Sequence, residues 1–550
     1  MTTSGWFSSN RKTSSKKAVT DRLGFKKAAT ERQGSKKPAN APSADGEDAP
    51  FREMTAARRA REAVKEAALA EKSALLAAQK QAREEHERAI VPQAAKPVRR
   101  EQPLRRPRVV VRVRPLAQSG GHSNDGAPVS KRLASWDNGC VVLEDEVGLD
   151  SGSLTGVRSQ KYSFAETVLG PDAKQVEVHN AAADDLVRAV CIDGFNGLLF
   201  AYGQTGTGKT HTIFGPMASW KSIRHEESGI LPRAVAAMLD TMRSREASTS
   251  SVLTASCLEF YMSSCLDLLD DASAPCLIGP NHRPLGLLSV PIDNEQACVD
   301  FMARVRERRH TRATLMNAAS DGHDGSSRSH CAMILTLRQL DRASGSVLMT
   351  ELNVVDMAGA ERPNSVQSTL LAMWDAEKGG EPTIAGQGLV INFELSQLRT
   401  AVVQATEQHL KGLPVINAKT PGTEFIEFAK GCFDCSALLS MIVTLSPARS
   451  CGWETWFSCT YGEDLQRLRC PVQPQKAKDL SKLIAATELA IQRLSDEKAS
   501  EAAANDKYVR LRAFQLRHET QQLEQLQRLA ALAAEGKSGT TEEGGACVVS

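Results

Sequence analysis

The densest chemistry in this 550-residue sequence lies at Gly203-Gln204-Thr205-Gly206-Thr207-Gly208-Lys209-Thr210, directly after the apolar run Leu198-Leu199-Phe200-Ala201-Tyr202. This is the G-x-x-x-x-G-K-[ST] pattern in the setting it needs, a buried strand running into a Gly-rich loop. Glycine has no Cβ, so successive backbone N–H groups turn inward and surround phosphate oxygens. The Lys209 ammonium then reaches the β- and γ-phosphates of a nucleoside triphosphate, and the Thr210 hydroxyl ligates Mg²⁺. The loop predicts a nucleotide site.

Two later stretches hold groups suited to sensing a terminal phosphate. Ser326-Ser327-Arg328-Ser329-His330 gathers hydroxyls around a guanidinium. Leu352-Asn353-Val354-Val355 is β-prone and ends at Asp356-Met357-Ala358-Gly359-Ala360-Glu361. An Asp closing a buried strand, with Gly three residues on, suits a metal-water ligand beside a backbone N–H donor. With GQTGTGKT, SSRSH and DMAGAE in that order, the chain resembles the kinesin motor domain over roughly residues 108–470.

The resemblance implies an α/β P-loop NTPase fold, a mostly parallel or mixed central sheet flanked by helices. It implies an ATPase with ATP and Mg²⁺ as cofactors and microtubules as partner. In that scheme Ser327 completes the metal shell, Ser326 approaches the γ-phosphate and the Gly359 N–H senses it. Arg328 and Glu361 form the ion pair that closes two switch loops around the attacking water, and Asp356 holds Mg²⁺ through water. Catalysis then rests on positioning and charge, supplied by the loop amides, Lys209 and the metal.

The elements that must position these groups begin at Arg108-Val-Val-Val-Arg112-Val-Arg114-Pro115, whose alternation reads as a strand ended by Pro115. By resemblance Arg112, Arg114, Pro115 and His211 form the slot for the adenine ring. Tyr162–Phe164, Gln175–His179, a helix over 180–192, Glu227–Arg233, Cys257–Tyr261 and Asp267–Leu269 also follow the family pattern. So does a helix carrying Arg309 and Thr314–Asn317. Leu438–Ser446 reads as the last buried strand, and Glu454-Thr455 opens the closing helix.

Three departures stand out. Ser320-Asp-Gly-His-Asp-Gly325 is inserted before SSRSH, and its glycines mark a flexible surface loop rather than a metal cluster of Asp321, His323 and Asp324. Between Glu361 and a helix starting near Gly388, the chain is longer than the family usually is, although Ile391-Asn392 and Leu395 match the helix that relays phosphate state to the track. Pro414–Lys430 keeps only the Pro and a Lys of the family's basic tubulin-facing segment, and its two Lys balance two Glu.

Beyond the motor-like region, composition sets the expectations. Residues 1–108 carry 25 Lys/Arg against 13 Asp/Glu, leaving the remainder net acidic, so the beginning of the chain is a basic arm. A ten-residue repeat runs through it as Lys12–Asp21, Arg22–Glu31 and Arg32–Ala41, each centred on Lys-Lys. Such polar units bury no core, so residues 1–50 are expected to be disordered; acidic tubulin tails, an anionic membrane, or solvent alone are the readings of the charge. No nucleic-acid partner is expected. Residues 51–90 are Ala/Glu/Arg/Lys-rich and helical, either as a solvated single helix or a thin coiled coil, and 91–107 form a Pro/Arg linker.

After Pro471 and Pro474, Leu480, Ile484, Ile491 and Leu494 give two heptads, Lys498, Glu501 and Asn505 break the seam, and Leu516, Leu523 and Leu526 resume in another register. That makes 476–535 a helical or short coiled-coil segment able to form a homodimer. The tail 536–550 ends Cys547-Val-Val-Ser550, the pattern for farnesylation, and hence for a membrane link that mass spectrometry would detect. No apolar run reaches 18 residues and no signal-type segment opens the chain. Thirteen scattered cysteines fit reduced thiols, and Cys432-Phe-Asp-Cys435 is a lone pair with no partner for zinc. The expectation is a cytoplasmic, cytoskeletal ATPase motor; the alternative is a non-motile ATP-switched scaffold or membrane tether with weak microtubule binding.

Overall fold

The computed structural model describes residues 104–116, 131–148, 154–261, 264–271, 276–279, 282–316, 328–360, 374–375, 381–382, 384–410, 423–433, 436–500 and 506–538. Ser326, Ser327, Glu361, Cys547, the arm and helix expected over 1–90, the insertion Ser320–Gly325 and residues 414–422 lie outside them.

The sheet is built from β1 (Arg108–Val113), β2 (Val168–Leu169), β3 (Asn196–Tyr202), β4 (Thr249–Tyr261), β5 (Val290–Pro291), β6 (His330–Asp341), β7 (Ser346–Asp356) and β8 (Ala437–Leu445). Their order is β5-β4-β6-β7-β3-β8-β1-β2. From β7 to β2 neighbours are parallel, whereas β4, β6 and β7 pair antiparallel. Strand β3 is buried at every position, as a parallel strand covered on both faces must be.

One face packs α1 (Gln175–Ala182), α2 (Lys209–Phe214), α3 (Ile230–Ser244) and α4 (Glu295–Met316) through residues such as Val178, Ile213, Leu231 and Phe301. The other packs α5 (Ile384–Leu410), α6 (Glu424–Phe433) and α7 (Gly452–Gln466) through Leu395, Phe425 and Tyr461. Register then decides where chemistry gathers. Asp356 lies beside Ala201, Cys331 lies across from Asp356, and Val113 lies beside Leu445. The ends of β1, β3, β7 and β8 and the start of β6 therefore share one edge.

Some boundaries differ from expectation. The single helix expected over 180–192 is instead α1, a short helix Asp184–Arg188 and a π turn Ala189–Asp193. Ala183 steps off the helical ladder at φ −122°, and Asp184 and Asp185 restart it with carboxylates at the positive helix end. Helix α5 starts at Ile384 rather than near Gly388, and α7 starts at Gly452 rather than Glu454.

The segment read as helical or a short coiled coil forms two helices, α8 (Leu480–Ser500) and α9 (Asp506–Ser538), which pack on each other. Thr487 of α8 accepts a hydrogen bond from Gln522 of α9 (3.2 Å). Leu526 and Leu529 are fully buried, and Leu529 packs with Val252, Leu340 and Val347 of the sheet. A heptad seam announces an apolar face and not what covers it; here the chain's own sheet does.

Near this contact, burial pushes the Asp267 carboxyl up to about 6, although the Leu288 and Leu269 amides donate to it; Asp270 adds to the rise and Arg517 opposes it. An unfolded Asp titrates near ~4, so the folded state binds the proton more strongly. Its contribution to stability therefore declines as pH rises from about 4 to about 6, by on the order of 3 kcal/mol. In Asp267→Asn that slope should vanish, read as the pH dependence of the stability difference from the unsubstituted protein.

Candidate nucleotide site

Gly203–Thr210 links β3 to α2, and its backbone is the one the sequence demands. Gly208 takes φ +98° as the residue capping α2, a left-handed conformation that a side chain would strain. Gly203 passes so close to β8 that a Cβ would overlap the Thr444 carbonyl oxygen. Thr207 ties the loop down, its hydroxyl 2.7 Å from both Gln204 O and Thr444 Oγ1.

Lys209 is buried, and its Nζ donates to Gly203 O and Gln204 O at 2.9 Å each. The same Gly203 oxygen accepts the Ala360 N–H at 3.1 Å. One carbonyl thus joins the Gly-rich loop to the DMAGAE stretch, placing Gly359 directly beside the loop.

Thr210 Oγ1 donates to Asp356 Oδ2 at 2.7 Å. Asp356 is fully buried, and its other oxygen, Oδ1, has no hydrogen-bond partner among the described residues. A hydroxyl oxygen beside an unsatisfied buried carboxylate oxygen is a hard oxygen set, of the kind Mg²⁺ takes directly or through water. The residues present therefore fit the metal, and the glycine-lined loop fits the phosphates.

Arg309 holds this carboxylate in place. Its Nη1 donates to Asp356 Oδ2 at 3.0 Å, its Nη2 donates to Ser329 O at 3.3 Å, and its Nε lies 4.0 Å from Glu259 Oε1. Ser329 Oγ donates to that same Glu259 oxygen at 2.7 Å. Burial works against the Arg309 charge, yet Cys331, Asp356 and Glu259 more than offset it, and its pKa rises. In the sequence Arg309 is only family-like; nothing in Arg304-Val-Arg306-Glu-Arg308-Arg309 says which arginine turns inward.

His330 is a second residue whose role the sequence did not disclose. Its Nδ1 accepts the Ala358 N–H at 3.2 Å, and its Nε2 lies 3.4 Å from Glu394 Oε2 of α5. The ring stacks on Phe425 of α6 at 3.9 Å. The SSRSH exit, the DMAGAE stretch and the helices of the opposite face meet at this imidazole.

The four residues expected around adenine divide. Arg114 donates to Gly206 O, Pro115 is exposed, and the His211 side chain reaches solvent. Surrounding protein still dehydrates the His211 ring, Arg112 and Arg114 repel added charge, and its pKa falls despite Glu227. Arg112, by contrast, faces inward to Thr212 Oγ1 (2.8 Å) and Gln175 Oε1 (3.1 Å), bracing α2 from below. Arg328 is half-buried at the approach to β6.

A buried strand, a Gly-rich loop capping a helix, and a buried Asp bonded to the loop's Thr define a P-loop nucleotide-binding protein. Residues 112–468 match the kinesin motor domain. Kinesin-like protein KIN-14G of Arabidopsis thaliana is 30% identical over 373 residues, covering 64% of this chain and 34% of that protein. Mouse kinesin-like protein KIF7 is 28% identical over 376 residues, covering 66% and 25%. The solved structure of a fast kinesin superposes with a TM-score of 0.51 at 19% identity, covering 68% of this chain and 94% of that one. The chain belongs to the kinesin motor domain family, and it spans about a third or less of the length of these curated relatives.

Proposed function

We propose that this chain hydrolyses ATP with Mg²⁺ and couples the state of the γ-phosphate to microtubule binding, in the cytoplasm and on the cytoskeleton. The observation that carries the reading is the Gly203 carbonyl, which accepts from both Lys209 and Ala360. A phosphate entering the loop competes for Lys209 and alters the tie to Ala360, next to the Gly359 amide.

In this reading the amides of Gly203–Thr210 surround the phosphates, Lys209 bears on the β- and γ-phosphoryl oxygens, and Thr210, Ser327 and Asp356 hold Mg²⁺, the last through water. The metal supplies charge neutralisation on the phosphoryl oxygens. Ser326 and the Gly359 N–H face the γ-phosphate, and Arg328 pairs with Glu361 when the loops close. Arg114, Pro115 and His211 border the base, with Arg112 acting beneath them.

Phosphate release, measured with and without microtubules, tests the whole reading: stimulation by microtubules supports it, and equal rates favour the ATP-switched scaffold. Arg328→Ala should slow turnover by about 10²-fold while leaving nucleotide affinity nearly intact. Equal loss of affinity and rate would remove the ion-pair role. The balanced charge of Pro414–Lys430 favours weak track affinity on its own, with the basic residues 1–104 supplying attraction. Co-sedimentation across a salt series should then weaken when that arm is removed; no change would exclude it.

A further inference from the structure

We infer that the sheet face formed by β4, β6 and β7 at the end away from the Gly-rich loop is a docking surface. Its occupant is the chain's own residues 480–538, which clamp in cis the strand by which the chain leaves the motor. That strand, Lys478–Asp479, pairs antiparallel with Ser346–Val347 of β7. It is stitched on both sides: Gln475 N–H donates to Gly194 O (2.7 Å) and Leu480 N–H donates to Gly345 O (3.1 Å).

From there α8 runs out and α9 returns across the sheet. Leu529 and Ala533 sit on Val252, Leu340 and Val347, with Leu480 packed against the same cluster. Charge complements the fit, since Arg517 and Arg528 of α9 meet Asp270 and Asp293 of the motor at 2.7 Å each. Gln521 Oε1 accepts both the N–H and the hydroxyl of Ser289 at 3.0 Å.

The contact is not apolar throughout. Beside the apolar cluster the same face carries Thr254, Thr336, Arg338 and Glu351, and His518 of α9 lies in the fields of Arg338 and Glu351. Obligate interfaces are more apolar than this. Of the residues an intermolecular seam would use, Leu480 packs against this cluster and Leu494 and Leu526 are buried within the single chain, so docking in cis and dimerisation through 476–535 exclude each other.

The experiment uses the full chain. Light scattering should give a monomer, and hydrogen exchange should show α9 protected together with the Val252–Thr254 and Arg338–Leu340 amides. In a mixture of isotopically light and heavy chains, cross-links between α9 and the sheet should join only like with like. Reversing both charges, Arg517→Asp with Arg528→Asp, should lower α9 protection about tenfold, and adding Asp270→Arg with Asp293→Arg should restore it. A dimer with light-to-heavy cross-links, unprotected α9 in the unsubstituted chain, or unchanged protection after charge reversal would overturn the inference. None of these readouts depends on nucleotide turnover.

Discussion

Replacing Lys209 with alanine is expected to lower phosphate release by about 10²–10³-fold, the scale seen when one preorganised donor to developing charge is removed. The ammonium sits buried at the mouth of the loop, between the Gly203 and Gln204 carbonyls. A triphosphate offers it a stronger, charged acceptor than two backbone oxygens, so its charge is worth most when the phosphoryl group is in transit. Lys209→Arg should not rescue, because a planar fork cannot enter the space of a slim ammonium between those carbonyls. Single-turnover kinetics separate the lost chemical step from lost binding. A Lys209→Ala protein with unsubstituted turnover would remove the loop from the reaction.

The second large effect is on stability. Arg309→Leu should destabilise the protein by about 3–5 kcal/mol, the cost of leaving a buried charge without its partner. Arg309 is 7% exposed and stands among Asp356, Glu259 and the Ser329 carbonyl. Removing the guanidinium takes the cation away from two buried carboxylates. Adding Glu259→Gln should recover part of the loss, because one of the two charges is then gone. Chemical denaturation of the two variants beside the parent measures both steps, and an Arg309→Leu protein of parental stability would show that the cluster carries no net charge energy.

The nucleotide loop was legible because its chemistry restricts residue type at every step: left-handed backbone at Gly208, close approach to Thr444 at Gly203, an ammonium and a hydroxyl beyond. Asp356 was legible for a similar reason, as a carboxylate ending an apolar strand. Arg309 was not, because a helix rich in arginine does not say which one faces the core. Glu394 was hidden in the same way, a charged residue inside a helix whose burial depends on His330 arriving from another strand.

At the C-terminal end the pattern announces helix and an apolar seam without saying what covers that seam. The break in the seam at Lys498–Asn505 falls where α8 ends at Ser500 and α9 begins at Asp506. Periodicity fixes which face is apolar, and only the three-dimensional arrangement supplies its cover. Arg112 carries the same lesson in small: its motif marks it out, and only the fold shows its bond to Thr212 of α2.

The proposed function requires a triphosphate held where the Gly203 carbonyl joins Lys209 to Ala360. Equilibrium binding of a fluorescent ATP analogue to the folded chain, followed by phosphate release with and without microtubules, tests that most directly. Magnesium-dependent binding and microtubule-stimulated release are the predicted outcome. A folded protein that takes up no nucleotide and releases no phosphate would contradict it.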